Sequence, residues 1–325
     1  MRKKITLAII DEMEKYMRDE VSLPKYDTVR DKCVNRNELC CFWAAVGECE
    51  NNPGFMKLSC APACKTCNLI DFETRCPRDP NAKDIFGPGD LNKMFNSILE
   101  NYEGATDLSR PQIANDEGSK DADGPWIVTI EDFLSESECE RLIELGAQKG
   151  YKRSEDVGEE NFDGSFGSTQ SSSRTSWNAW CEKECLEDPT TINVSEKIVN
   201  LTGIPDENSE HLQLLRYYEG QFYRTHHDFI DHQIHRPTGP RILTIYLYLN
   251  DVEEGGGTRF PRLDLTVMPK RGMALIWPSV YDSDLIKLDP RTHHEALPVG
   301  KGIKYGANGW IHLREFKKNH EINCS

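Results

Sequence analysis

Tyr217-Tyr218-Glu219-Gly220-Gln221-Phe222-Tyr223-Arg224-Thr225-His226-His227-Asp228 is the stretch on which this sequence turns. Its first two residues close one strand and 223–227 read as the next. In a strand, residues i and i+2 point the same way. His226 and Asp228 therefore share a face, and His227 points to the other. One imidazole and one carboxylate on a common face are two ligands for a first-row metal. A third has to come from elsewhere in the chain, and His293 or His294 is the natural source. Two histidines and one carboxylate form a facial triad whose three open positions suit a non-haem Fe(II) oxygenase. A lone His-x-Asp is also what an ordinary hydrogen-bonding pair looks like, so the surrounding sequence has to supply the context.

Working outward, the chain after His211 reads as short strands at 211–218, 223–227, 241–250, 265–268, 274–277, 294–297 and 305–313, punctuated by glycine, proline and asparagine. The 241–250 stretch is apolar on both parities, which predicts a central strand buried on both faces. Gly255-Gly256-Gly257 lies between strands and reads as a turn. Upstream, 126–130 is β-rich. Ser135 with Glu138 three residues on is a capping box that opens a helix running to Lys149 and stopping at Gly150. Asp188-Pro189 opens a second helix, with Val194, Ile198 and Leu201 on one face and Gly203 as its stop. Helices followed by many short strands predict a mainly β fold, an antiparallel sandwich or barrel with supporting α-helices. Neither a P-loop, a Rossmann glycine fingerprint nor an internal repeat is present.

At this point the sequence resembles the prolyl 4-hydroxylase family of Fe(II)- and 2-oxoglutarate-dependent dioxygenases, over roughly 126–314. Four blocks carry the resemblance in order. Gly220, Gln221, Tyr223, His226 and Asp228 form the first. Gly255, Gly256, Thr258, Phe260 and Pro261 form the second, and Pro269, Gly272 and Ala274 the third. His294 with Lys304, ten residues on, forms the fourth. The resemblance implies a double-stranded β-helix (jelly-roll) catalytic domain at 125–316, with His226, Asp228 and His294 as catalytic iron ligands. It implies Lys304 as the residue that holds the distal carboxylate of 2-oxoglutarate, assisted by Tyr217 and Thr258. It places Tyr223, Arg241 and Trp310 at the peptide-binding groove. Each has a plainer reading as well: Tyr217 and Tyr223 as core aromatics, Trp310 as packing, Arg241 as a structural ion pair. The implied reaction hydroxylates C4 of a peptidyl proline, releases succinate and CO2, and draws on ascorbate. His227 between the ligands, Glu295-Ala296-Leu297 after the distal histidine and Tyr305 depart from the usual pattern. None removes a ligand, and Glu295 is expected to bear on peptide preference.

Composition narrows the alternatives. The 325 residues carry 39 Lys and Arg against 54 Asp and Glu, a net charge of −15. That balance disfavours a nucleic-acid binder, which needs clustered cations against phosphate. No apolar run of about 18 residues is present, so no membrane-spanning helix is expected. Eight of the twelve cysteines fall between Cys33 and Cys76. Such density reads as a disulfide framework and an oxidising compartment. Zinc is the rival reading, since Cys64-x-x-Cys67 has ligand spacing, but its partner pair is missing.

Cys33, Cys40, Cys49, Cys60, Cys64 and Cys67, with Trp43-Ala44, Gly47-Glu48, Asn52-Pro53 and Met56 between them, resemble a ShKT domain at 33–67. That resemblance implies the pairs Cys33–Cys67, Cys40–Cys60 and Cys49–Cys64. Cys41 and Cys76 are then left to form a fourth bridge, Cys181 and Cys185 a local one, and Cys139 with Cys324 another. Residues 68–124 read as a connector with one short helix near 91–99 and an acidic linker at 116–124. Residues 1–30 are polar and amphipathic, with the look of a signal or anchor remnant at Met1-Arg2-Lys3-Lys4. Sequons at Asn193, Asn200 and Asn323 agree with a secretory route through the endoplasmic reticulum or Golgi lumen. The expected partner is a proline-rich or collagen-like polypeptide. The rivals are a hydroxylase of the same cofactor class acting on another residue, and a non-catalytic secreted binding protein built on the ShKT module.

Overall fold

The structure is a computed structural model and describes residues 2–109 and 125–325; the acidic 116–124 run lies outside the described residues. Two compact units emerge. One comprises Met1–Asp79 with Val157–Thr169, the other Pro80–Asp156 with Gln170–Ser325. Among the described residues, no helix is long and apolar enough to cross a membrane.

The first unit is small, helical and stapled. Cys33–Cys67, Cys40–Cys60 and Cys49–Cys64 are bonded, tying together the short helices Cys40–Ala45, Glu48–Asn51, Pro53–Ser59 and Ala61–Cys64. A core this small relies on such cross-links, because it buries too little apolar surface to offset chain entropy. The amphipathic N-terminal segment folds as the helix Arg2–Tyr16. Its Met13 packs against the Cys40–Cys60 cluster, and Tyr16 and Met17 against a second cluster of Val21, Tyr26, Val29 and Ile70. Residues 157–169 lie inside the 125–316 stretch by sequence, yet they cluster with this unit. Phe162 joins the second cluster, and the Arg36 guanidinium lies 3.5 Å over its ring.

Two of the expected bridges do not form. Cys41 and Cys139 are free thiols, while Cys76 and Cys324 are both disulfide-bonded. Cys40 faces Cys60 in the core, and successive helical residues are turned by about 100°. Cys41 is thereby directed to Met13, with its Sγ 3.7 Å from the Met13 sulfur. Cys139 is held inside the other unit, its Sγ 4.0 Å from the Tyr248 carbonyl oxygen, and burial pushes its thiol up to about 11. Cys181 and Cys185 are bonded as a local bridge.

The second unit is a jelly-roll of antiparallel sheets. The large sheet runs in the order Ala105–Asp107, Val128–Ile130, Ala274–Pro278, Arg241–Tyr248, Lys304–His312, Gln213–Tyr217, Trp177–Trp180, Lys152–Arg153. The small sheet runs Leu265–Val267, Thr258–Phe260, His294–Ala296, Tyr223–His226. The central strand Arg241–Tyr248 shows how parity builds two cores. Leu243, Ile245 and Leu247 face a layer of helices, while Tyr246 and Tyr248 face the small sheet and pack with Phe260, Val267 and Trp277. This is why its sequence is apolar on both parities.

The helical layer comprises Asp90–Asn101, Glu136–Lys149 and Pro189–Thr202. The connector helix is therefore core: Leu91, Met94, Phe95 and Ile98 are buried at i, i+3, i+4 and i+7, and Phe95 stacks on Trp126 at 5.2 Å. The capping box forms as the sequence predicts, with Glu138 Oε2 accepting from the Ser135 backbone N–H at 2.7 Å.

Candidate active site

The metal-ligand geometry follows from strand pairing. Tyr223–His226 and His294–Ala296 are antiparallel neighbours, and their register sets His226 directly opposite His294. Ligand atoms of His226, Asp228 and His294 all lie within 4.8 Å of one another, and His294 Nε2 is 3.5 Å from Asp228 Oδ2. Facial ligands about 2.1 Å from a metal stand roughly 3 Å apart, so little closure is needed. Each donor is oriented from behind. His226 Nδ1 lies 2.8 Å from the Arg224 carbonyl oxygen, and His294 Nδ1 3.0 Å from that of Thr292. Donating there leaves each Nε2 lone pair free for a metal. The Thr244 hydroxyl donates to Asp228 Oδ2 at 2.7 Å.

Electrostatics keep His226 and Asp228 in their ligating forms. Burial pushes His226 well below the usual imidazole range, with His294 acting in the same direction. Burial alone would raise Asp228, but His294, His226 and Arg241 overcome it and hold the carboxyl at about 2. His293 is not part of the set. Its Nδ1 lies 2.8 Å from the Pro290 carbonyl oxygen, and its ring packs edge-on against His227. His227 itself contacts the Asp289 carbonyl and the Thr292 hydroxyl, on the side away from the ligands. Glu295 is also turned outward, onto Arg259 at 2.5 Å and the Thr225 hydroxyl at 2.8 Å. Parity therefore removes it from the ligand face.

Deeper between the sheets lies Lys304, 1 % exposed, with no hydrogen-bond partner for its Nζ among the described residues. Burial brings its ammonium down to about 7. Tyr217, opposite Lys304 in the strand register, is one of three tyrosine rings around it; Tyr246 and Tyr248 are the others, with centroids 5.0–5.5 Å from Nζ. Thr258 is buried and accepts from the Tyr248 hydroxyl at 2.7 Å. A buried cation without a partner is costly, and a ligand carboxylate removes that cost.

Of the residues expected at the groove, Tyr223 stacks on His226 with centroids 3.6 Å apart, and the Arg174 guanidinium carbon lies 4.7 Å from its ring centroid. Arg241 makes a two-point ion pair with Glu210 at 2.5 and 3.0 Å and lies 3.9 Å over the Trp310 ring. Glu210 also bonds His312 Nε2 at 2.8 Å. Burial raises Glu210, but Arg241 and His312 outweigh it and bring the carboxyl down to about 2. The ion-pair and packing readings of Arg241 and Trp310 thus hold in the free protein. Thr244, Tyr246, Tyr248, Arg174 and Glu210 escaped the sequence reading. For the first three the signal was parity, since positions 244, 246 and 248 all face the small sheet.

The 2OG-Fe(II) oxygenase superfamily profile matches residues 212–312, and the ShK domain-like profile matches 32–67. Prolyl 4-hydroxylase 2 of Arabidopsis thaliana is 33% identical over 225 residues, covering 62% of this chain and 72% of that protein. The chain belongs to the prolyl 4-hydroxylase family. Another relative in this family, prolyl 4-hydroxylase 5 of Arabidopsis thaliana, is 35% identical over 214 residues, 59% of this chain and 70% of its own. A viral collagen prolyl hydroxylase from Paramecium Bursaria Chlorella virus-1, solved as its 2OG complex, is 30% identical and covers 58% of this chain and 97% of its own, with a TM-score of 0.45.

The prolyl 4-hydroxylase family uses Fe(II) and 2-oxoglutarate, and two features of this chain fit them. The donor set is two imidazoles and a carboxylate with their far sides already engaged. The orphaned Lys304 Nζ is a buried amine that an anionic ligand would complete.

Proposed function

We propose that this protein is a secretory-pathway prolyl 4-hydroxylase acting on proline-rich or collagen-like polypeptides. Peptidyl proline, O2 and 2-oxoglutarate give 4-hydroxyproline, succinate and CO2. One oxygen atom goes to the C4–H bond and the other to succinate. When bound, Fe(II) supplies the activation of O2 coupled to loss of CO2 from 2-oxoglutarate.

The chain's own residues supply placement and exclusion of water. His226, Asp228 and His294 would hold the metal through their two Nε2 atoms and one carboxylate. Lys304 binds the distal carboxylate of 2-oxoglutarate, with Thr258 and Tyr217 beside it. That carboxylate completes an ion pair with the otherwise unpartnered Nζ. The tyrosine rings around Lys304 keep water away and strengthen the pair. Tyr223, held against His226, and Arg241 with Trp310 line the groove that receives the proline. Ascorbate would be the reductant that keeps the metal in its Fe(II) state. Disulfides in both units favour an oxidising lumen as the working compartment.

The observation that carries this reading is the pairing of the His226–Asp228–His294 cluster with the unpartnered Lys304 between the same two sheets. The test is succinate release with Fe(II), ascorbate and a proline-rich peptide, beside His226→Ala. A gain of one oxygen on proline, absent from the variant, supports the proposal. Succinate without peptide oxidation overturns the substrate class, and no succinate from folded, iron-loaded protein overturns the activity.

A further inference from the structure

A second cluster of metal-ligating side chains lies away from the catalytic one. Ligand atoms of Glu182, His211 and His320 all fall within 4.8 Å of one another. The three residues come from separate parts of the second unit. Glu182 sits in the loop closed by the Cys181–Cys185 bridge, whose sulfurs are buried in the helix-side core. His211 leads into the strand Gln213–Tyr217, next to the buried Leu212. His320 is on the C-terminal helix Lys317–Glu321.

Two of these supports are rigid, and the third ring is held in place. His320 stacks on Phe316 at 5.0 Å, and Phe316 stacks on the buried His312 at 4.8 Å. His320 Nδ1 lies 3.1 Å from the Ser325 hydroxyl, which leaves Nε2 directed elsewhere. The His211 and His320 rings meet edge to face at 5.7 Å. His211 has no hydrogen-bond partner among the described residues. The nearest cation, Lys317, is ion-paired with Asp206.

We infer that Glu182, His211 and His320 form a second metal site, a surface zinc staple that clamps the C-terminal helix to the jelly-roll. Two imidazoles and one carboxylate with the fourth position left to water match the ligand preferences of zinc. Nothing in the catalytic reaction calls for these residues, and the inference stands or falls independently of the proposed hydroxylation.

The test counts zinc on the full, untagged chain after removal of metals and saturation with Zn2+. The catalytic triad also takes zinc, so wild-type protein is expected to bind two equivalents. His320→Ala is expected to bind one, and Glu182→Gln to bind the second at least tenfold more weakly. His226→Ala/Asp228→Ala, with its fold checked by circular dichroism, keeps one equivalent and loses it on adding His320→Ala. Zinc should also protect the Lys317–Glu321 helix from proteolysis in wild type but not in His320→Ala. Equal zinc content in wild type and His320→Ala, or a single equivalent in wild type that vanishes with the triad, overturns the inference.

Discussion

Lys304 concentrates the energetics of the site. Its Nζ is buried among tyrosine rings without a partner, and burial brings its pKa to about 7, whereas an unfolded chain holds this proton to about 10.4. The unfolded state therefore binds more protons between those values, and stability without cosubstrate rises with pH across that window. Cosubstrate binding works the opposite way. A carboxylate beside Nζ favours the ammonium, so binding takes up a proton above pH 7, and affinity for 2-oxoglutarate falls about tenfold per pH unit there. Titration calorimetry at pH 8 in two buffers of different ionisation enthalpy should show uptake approaching one proton, and none would refute the assignment. Lys304→Met removes the charge at nearly constant length. It should raise KM for 2-oxoglutarate roughly a hundredfold or more, since breaking a buried pair costs about 3–5 kcal/mol. His226, Asp228, His294 and Lys304 were all legible as residues with a chemistry. Thr244 and the two inner tyrosines were not, because their types are ordinary strand residues and only position gives them a role.

At the scale of elements, local rules account for most boundaries. The capping box at Ser135 and the proline start at Pro189 are properties of a few neighbouring residues, and both helices begin and end where those residues predict. Ser135→Ala should lower stability by about 1 kcal/mol in urea unfolding with little change in activity. The strands were found more reliably than their partners. Pairing of Tyr223–His226 with His294–Ala296 spans nearly seventy residues, and no local signal announces it. The same holds for the link between Arg241–Tyr248 and Glu210. Glu210→Gln leaves the Arg241 guanidinium with a weaker partner and should destabilise the unit by about 2 kcal/mol or more. Wild-type Glu210, with a folded pKa near 2 against about 4.3 unfolded, contributes stability that is complete above pH 5 and lost as pH falls toward 2. An acid titration of the unfolding free energy should lose that dependence in Glu210→Gln.

For the whole molecule, cysteine chemistry divides what composition shows from what packing decides. Ten of the twelve thiols are bonded, so alkylation of the denatured, unreduced chain should label Cys41 and Cys139 and no others. Labelling of Cys76 would contradict the arrangement. The helical N-terminal unit depends on its three bridges far more than the jelly-roll depends on Cys181–Cys185. Reductant should therefore collapse that unit at concentrations that leave the β-sheet signal in place.

What the sequence determined by itself is whatever a short stretch of chain can encode. Helix caps, the alternation of strands, the ligand residues and their order along the chain, and the density of cysteines are all of this kind, as is the resemblance those motifs carry. Only the tertiary structure decided that His294 lies directly opposite His226 across a strand pair. It also decided that Cys41 stays free beside Met13, and that residues 157–169 cluster with the N-terminal unit. The convergence of Glu182, His211 and His320 is of the same kind. The physical reason is common to these cases. Each depends on which segments meet across long sequence separations, and that is set by burial and register summed over the whole fold rather than by the preferences of the residues involved.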